Sequence, residues 1–454
     1  MKEKERFWLY VRRVICVVLL MAAIVVIYKG LDFVMTDDSD IRSRQSINDF
    51  YEQDNVDVLF LGSSHGVYGL NAGAISEETG LDVFNLATTS QDCSTSSFIL
   101  EAALEAQPNI KQVYCEISYQ LMKRDKPKDI YAYLGLDYIR DPILRARLIL
   151  TNFSTDKYVN SFLRLRRNAN ALEDLSLDRM IQTYKNKTSE SYKDYSSNKY
   201  MGRGFFRKDS TVYIGGDTLA INSESENLDT LSSEEFTDYQ YGCIEKMIDL
   251  CNKKGVKLVF YIAPKLEYYF SLTTGWDDVS EAMGSFLDER GITLLDLNLV
   301  KDEYLNPTME DFSDADHLNY QGSLKKAAFF SQYIQDPDGD YFCDSMEEKY
   351  PADESSLFFT YQVDKSKGDV EVSISTEPLT LVGKDIHVEC CTVSGKKKTH
   401  KWKDKDPVEL QAQEDGSYSL TIPKDDFGTY YRLSVIDDST GETITNTVTS
   451  FRMK

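Results

Sequence analysis

The chain has 454 residues, 42% of them apolar, 12% aromatic, and a formal net charge of −23. That is too long for one compact domain and too apolar for a disordered chain. Its acidity opposes binding to phosphate backbones and excludes nucleic acid as a partner.

The chain opens with Lys2, Lys4, Arg6, Arg12 and Arg13, followed by an unbroken apolar run from Val14 to Tyr28. A membrane span needs ~20 apolar residues. The apolar stretches Phe7–Val11 and Leu31–Met35 extend this run toward that length, and Arg12, Arg13 and Lys29 are placed to snorkel to the two interfaces. No small-x-small cleavage site follows closely, so residues 1–36 read as a cytoplasmic tail and a retained signal anchor. The basic flank stays in the cytoplasm and places the rest of the chain outside the cell, in the single-pass sense.

Residues 37–335 carry an α/β rhythm. Residues 56–62 (VDVLFLG), 81–87 (LDVFNLA), 111–118 (KQVYCEIS), 256–263 (VKLVFYIA) and 293–298 (TLLDLN) are short apolar runs of the kind buried parallel strands use. Helical character covers 94–106, 236–253, 276–290 and 320–334. Alternation of this kind predicts a mostly parallel sheet with helices on both faces. Residues 141–235 break the rhythm and read as an insertion, with a basic helical stretch near Phe162–Asn168 and a polar segment over 183–200.

Residues 336–350 form an acidic linker. Asp336, Asp338, Asp340, Asp344 and Glu347 fall at positions 1, 3, 5, 9 and 12 of a twelve-residue loop, which suits a structural calcium ion, although Tyr341 stands where such loops carry glycine. From 351 to 454, short strand-like runs (SLFFTYQV, VEVSIST, IHVECCTV, YSLTIP, YYRLSVI, TNTVTSFRM) separated by turns predict a β-sandwich of immunoglobulin-like architecture. Seven cysteines follow the anchor, an odd number without zinc spacing, and the sequence selects no disulfide pairs.

Two motifs carry chemistry. Gly62-Ser63-Ser64-His65-Gly66 follows the first strand directly, where a tight strand-to-helix turn would expose a nucleophile and offer its own backbone N–H to an oxyanion. Asp314-Ala315-Asp316-His317-Leu318-Asn319 precedes the last helix, and the Asp three residues before the His can fix its tautomer. Asp314, Asp316 and His317 crowd too closely in sequence to surround one metal ion.

The Gly62-Ser63-Ser64 and Asp314-x-x-His317 motifs resemble those of the SGNH (GDSL-type) hydrolase superfamily, over roughly residues 55–335. The Gly-Ser-Ser variant, the anchor and the Asp-x-x-His-Leu-Asn wording are similar to a membrane-anchored branch. That branch contains the lipoteichoic acid D-alanylation protein and alginate-type polysaccharide O-acetyltransferases. The resemblance implies a flavodoxin-like fold, with Ser64 as nucleophile, His317 as general base and acid, and Asp314 as its orienter. The family's second block, a glycine after strand two, is replaced by Ser90. Its third block, Gly-x-Asn-Asp, is absent, and Gln120 stands in that place. The oxyanion hole implied is therefore Ser64, Ser90 and Gln120.

Gly62-x-Ser64-x-Gly66 also fits an α/β-hydrolase elbow, but there the elbow follows several strands and the acid and His lie on separate loops. The resemblance implies serine O-acyl transfer, most simply of acetyl, to a polysaccharide or teichoic acid, with no required cofactor and a separate multipass membrane acyltransferase supplying the acyl group. The alternatives are a carbohydrate esterase using the same triad and a non-catalytic SGNH-like scaffold that binds glycan.

Overall fold

In a computed structural model, the structure describes residues 3–36, 41–137, 139–167, 176–189, 199–211, 229–266, 273–314, 316–349, 360–367, 369–375, 386–396, 401–414, 416–426, 428–441 and 449–451. Much of the polar segment 183–200, the start of SLFFTYQV and most of TNTVTSFRM lie outside the described residues.

The centre is a five-stranded parallel sheet: β1 (Val58–Leu61), β2 (Val83–Asn85), β3 (Gln112–Glu116), β4 (Lys257–Ile262) and β5 (Thr293–Asp296), in the order β2-β1-β3-β4-β5. Each strand lies within a few residues of its expected position, and the order is that of a doubly wound sheet whose switch point falls between β1 and β3. Every residue of β1 is buried, so its apolar run is continuous rather than alternating. The pleat still sorts the side chains. Leu59 and Leu61 join one core with Leu100, Leu104, Met247 and Leu287, while Val58 and Phe60 join the other with Tyr114, Tyr261, Phe329 and Phe330.

The first core is covered by α5 (Cys93–Ala106), α6 (Asp238–Lys254) and α7 (Trp276–Asp288). The second is covered by α4 (Ala72–Thr79) and α8 (Tyr320–Gln335). The short α3 (Ser64–Gly69) leaves the carboxyl end of β1 directly. Helix α1 (Glu3–Met35) is long and apolar enough to cross a membrane, with none of its most apolar window buried. Helix α2 (Ile41–Glu52) follows it toward the sheet.

Within the insertion, helices Pro142–Asn152 and Leu177–Thr188 form, and residues 199–211 return along the sheet edge. There Arg203 accepts from the Asn85 N–H at 3.0 Å and donates to the Val83 carbonyl at 3.2 Å. Gly204 must be glycine, since its φ is +82° and a Cβ would fall 1.7 Å from the Asn85 oxygen.

The C-terminal residues form two four-stranded antiparallel sheets. β6 (Thr360–Lys367), β7 (Asp369–Ser375), β10 (Gln411–Ala412) and β11 (Tyr418–Ile422) pair in the order β10-β11-β7-β6. β8 (Ile386–Lys396), β9 (Lys401–Val408), β12 (Tyr430–Asp437) and β13 (Thr449–Phe451) pair in the order β9-β8-β12-β13. The cysteines are all free thiols.

Candidate functional site

The turn after β1 is built on Glu116, the last residue of β3. Its carboxylate accepts from the Ser63 N–H at 2.8 Å, from the Ser63 hydroxyl at 2.9 Å and from His65 Nδ1 at 2.6 Å. Gly62 makes room for it: a Cβ there would lie 2.5 Å from the Glu116 carboxylate oxygen. Ser63 caps α3, with its side chain accepting from the His65 N–H. With residue 63 held inward, Ser64 faces the open side. Among the described residues its N–H has no protein acceptor, as expected of the first turn of a helix.

The second half of the site comes from the loop before α8. Asn319 caps that helix, accepting from the Gln321 and Gly322 N–H groups at 2.9 and 3.2 Å and donating to the Glu310 carbonyl at 2.6 Å. Asp314 folds the loop on itself by accepting from the N–H groups of Asp316 (3.1 Å) and His317 (2.7 Å). The same oxygen, Oδ1, receives His317 Nδ1 at 2.8 Å. His317 Nε2 then lies 2.8 Å from the Ser64 hydroxyl. Beneath them Leu318 packs with Phe312 and Leu266. Residues separated by 253 positions thus meet at the carboxyl edge of the sheet, on the switch-point side.

The Asp314 carboxylate is largely buried, which alone would raise its pKa. The His317 hydrogen bond and the charges of His317 and Lys208 outweigh this and hold it well below the usual range. Lys208 reaches Asp314 Oδ2 at 3.2 Å, while its own carbonyl accepts from the Tyr320 N–H at 2.7 Å. The edge segment of the insertion therefore supports the acid.

A second, buried network adjoins the first. The rings of His65 and His317 lie 4.8 Å apart. His65 Nε2 lies 2.9 Å from the Lys265 ammonium and 3.1 Å from Asp316 Oδ1, and Lys265 also pairs with Asp316. Burial and Lys265 push the His65 pKa down, but Asp316 and Glu116 outweigh them and raise it. Burial would raise Glu116, yet His65, Lys326 and the Ser63 N–H bring it down to about 2. Lys326 is fully buried, stands 4.9 Å from the Tyr261 ring, and has no hydrogen-bond partner among the described residues. Burial pushes its pKa down to about 8.

Sequence reasoning quoted His65 in its motif without giving it a role, and missed Glu116, Lys208, Lys265 and Lys326. Spacing carried no trace of them, because the sheet register and the edge segment bring them together. The one available signal was Glu116, an acid closing an otherwise apolar strand.

The other expected residues are distributed as follows. Ser90 stands in a turn with φ +50°, in the left-handed region that favours glycine. Gln120 lines a small cavity with His65, Glu116, Lys265 and Trp276. His65, Asp316 and His317 offer ligand-type atoms within 4.8 Å of one another, but the Lys265 ammonium bonds to two of these residues and already supplies positive charge there. In the acidic loop, Asp340 pairs with Lys301 at 2.6 Å and the Asp336 carbonyl accepts from the Tyr341 hydroxyl at 2.9 Å. Tyr341 is buried against Phe329 and Tyr304. Among the described residues Asp336, Asp338, Asp340 and Asp344 form no cluster of three in ligating reach, and the Glu347 side chain lies outside them.

A family model described as "Protein of unknown function (DUF1574)" matches residues 46–325. No protein of curated function matches the chain. Two solved structures are similar in part. A "putative acylhydrolase" from Bacteroides fragilis NCTC 9343 has a TM-score of 0.32 at 8% identity, with 66% of this chain and 98% of the other covered. A "putative platelet activating factor" from Streptococcus pneumonia has a TM-score of 0.28 at 10% identity, with 69% and 99% covered.

Proposed function

The chain belongs to the DUF1574 family, a family of unknown function, and from its site we propose that it is a serine-dependent acyl-transfer enzyme. One observation carries this reading: Ser64, His317 and Asp314 are joined in series, each contact 2.8 Å, through the two different nitrogens of one imidazole. Asp314 accepts from Nδ1–H, which leaves the Nε2 lone pair to receive the Ser64 proton.

The Ser64 oxygen attacks the donor's carbonyl carbon as its proton passes to Nε2. The tetrahedral intermediate expels the donor's leaving group, which takes the proton back from His317. An acceptor hydroxyl then loses its proton to Nε2, attacks the acyl-Ser64 carbonyl, and releases Ser64 with the proton returned. The Ser64 N–H is the first oxyanion donor in this reading, with Ser90 and Gln120 as the further candidates.

The finer reading is O-acyl transfer, most simply of acetyl, to an extracytoplasmic polysaccharide or teichoic acid, in the manner of the anchored SGNH branch that the Gly-Ser-Ser and Asp-x-x-His motifs resemble. An apolar N-terminal helix that could anchor the chain supports it, since a polymer-modifying enzyme gains from being held at the envelope. In this reading 1–36 is the anchor and 37–335 the acyl-transfer unit. Residues 336–350 are a linker, 351–454 an immunoglobulin-like accessory unit, and a multipass acyltransferase supplies the acyl group.

The test is a p-nitrophenyl acetate assay on the full chain, with and without acetyl-free oligosaccharides. Acetylated oligosaccharide formed by the parent chain and not by Ser64→Ala supports transfer. Free acetate alone makes it an esterase, and no Ser64-dependent turnover of any kind overturns the proposal.

A further inference from the structure

We propose that the described residues of 130–167 and 176–187 form a membrane-surface platform that lies on the same bilayer as α1, its exposed apolar side chains entering the headgroup boundary and its basic residues facing anionic lipid. This goes beyond acyl transfer and rests on α1 being a membrane anchor.

Three observations carry it. The first is where the insertion meets the anchor. At ~1.5 Å per residue, α1 is longer than a ~30 Å hydrocarbon layer requires. The apolar run ends at Tyr28, and there the insertion takes hold. The Tyr28 hydroxyl accepts from the Leu165 N–H at 3.5 Å, and Phe33 packs edge-on against Tyr184 at 6.1 Å. Lys187 donates to the Thr36 carbonyl at 2.5 Å. Leu165, Tyr184 and Lys187 are thus fixed beside the helix turns that emerge from the apolar layer.

The second is where the protein exposes apolar surface. Outside α1, every exposed large apolar side chain among the described residues, Met201 excepted, belongs to residues 130–184. Ile143 and Leu177 are 72% and 70% exposed, with Val159, Phe162 and Ile181 also outward. Such a concentration is costly in water and marks a contact surface. Ile143 and Leu177 each stand in the first turn of their helix, in Pro142–Asn152 and Leu177–Thr188.

The third is charge. The chain as a whole carries −23, yet residues 130–187 hold ten Lys or Arg against six Asp or Glu, with Asp137 pairing Arg145, Arg164 and Arg167. Basic residues interleaved with exposed apolar ones are the composition of interfacial segments that bind anionic lipid. The bilayer is the favoured occupant because α1, whose most apolar window is wholly unburied, is long and apolar enough to place one at this end of the molecule.

The test uses the full chain in vesicles of phosphatidylglycerol brominated high on the acyl chain. With Trp402→Phe in every chain, native Trp8 in α1 reports insertion, and native Trp276, buried in the α/β core, serves as the unquenched reference. Ile143→Trp and Leu177→Trp each add an emission, read against the parent chain, that brominated lipid is expected to quench about as strongly as it quenches Trp8. Adding Arg166→Gln and Lys185→Gln to the Leu177→Trp chain is expected to weaken that quenching several-fold. Unquenched tryptophans at 143 and 177 with Trp8 quenched would overturn the platform and leave the anchor, pointing to water or another protein on this face. Trp8 unquenched would overturn the anchor and the platform together. Quenching that is unchanged in the charge variant would overturn the role of anionic lipid.

Discussion

Two serine–histidine–acid sets sit side by side in this protein, and they differ in wiring rather than in composition. In Ser64–His317–Asp314 the acid and the hydroxyl bind opposite nitrogens of the ring, so a proton accepted on one side is stabilised from the other. In Ser63–His65–Glu116 the hydroxyl and the acid share one nitrogen, Nδ1, and both serve the buried turn. The far nitrogen faces Lys265 and Asp316. The first arrangement can move a proton to and from a substrate, while the second can only hold the first in place. Residue type and proximity do not make a relay; the nitrogen each partner takes does.

Mutation can break or sharpen this contrast. The largest effect is expected from Ser64→Ala or His317→Ala, each lowering turnover by about 10⁴ or more in a chromogenic ester assay. Asp314→Asn follows, at about 10³–10⁴, because the amide would favour the wrong imidazole tautomer.

On the buried side the expected readout is stability. Glu116 has its pKa depressed from 4.5 to about 2, so its contribution is full above pH 4.5 and is lost as pH falls toward 2. That difference corresponds to about 3 kcal/mol. Glu116→Gln should lower denaturant stability near neutral pH by about that amount and flatten the acid limb between those values. Ser63→Ala removes a hydroxyl bonded to that carboxylate and should cost about 1–2 kcal/mol, while turnover stays within about tenfold of the parent. The smallest effect is Lys208→Met. Its ion pair with Asp314 is part-exposed, so a few-fold loss in kcat is expected, consistent with about 1 kcal/mol.

The sequence made one set visible and showed only part of the other, since Ser63 and His65 stand in the same motif as Ser64 while Glu116 does not. The five strands announce themselves as apolar runs, and β1 is followed directly by Gly62, the glycine that Glu116 needs. Asp314 and His317 are legible as a pair because the Asp closes its own turn three residues before the ring, a local arrangement that spacing can express. Lys265 in a loop, Glu116 on β3 and Lys326 on α8 meet only through the tertiary fold, so no spacing encodes them. Lys208 comes from the insertion, where the α/β rhythm is lost. Ser90 was legible only through the resemblance, as a serine where the family carries glycine, and the structure adds that its backbone is left-handed.

The account stands or falls on which of two adjacent hydroxyls is activated. The full chain treated with a fluorophosphonate and mapped by peptide mass spectrometry answers this directly. The account predicts a single adduct on Ser64, absent from His317→Ala and retained in Ser63→Ala. An adduct on Ser63, or no adduct on a folded parent chain, would contradict it.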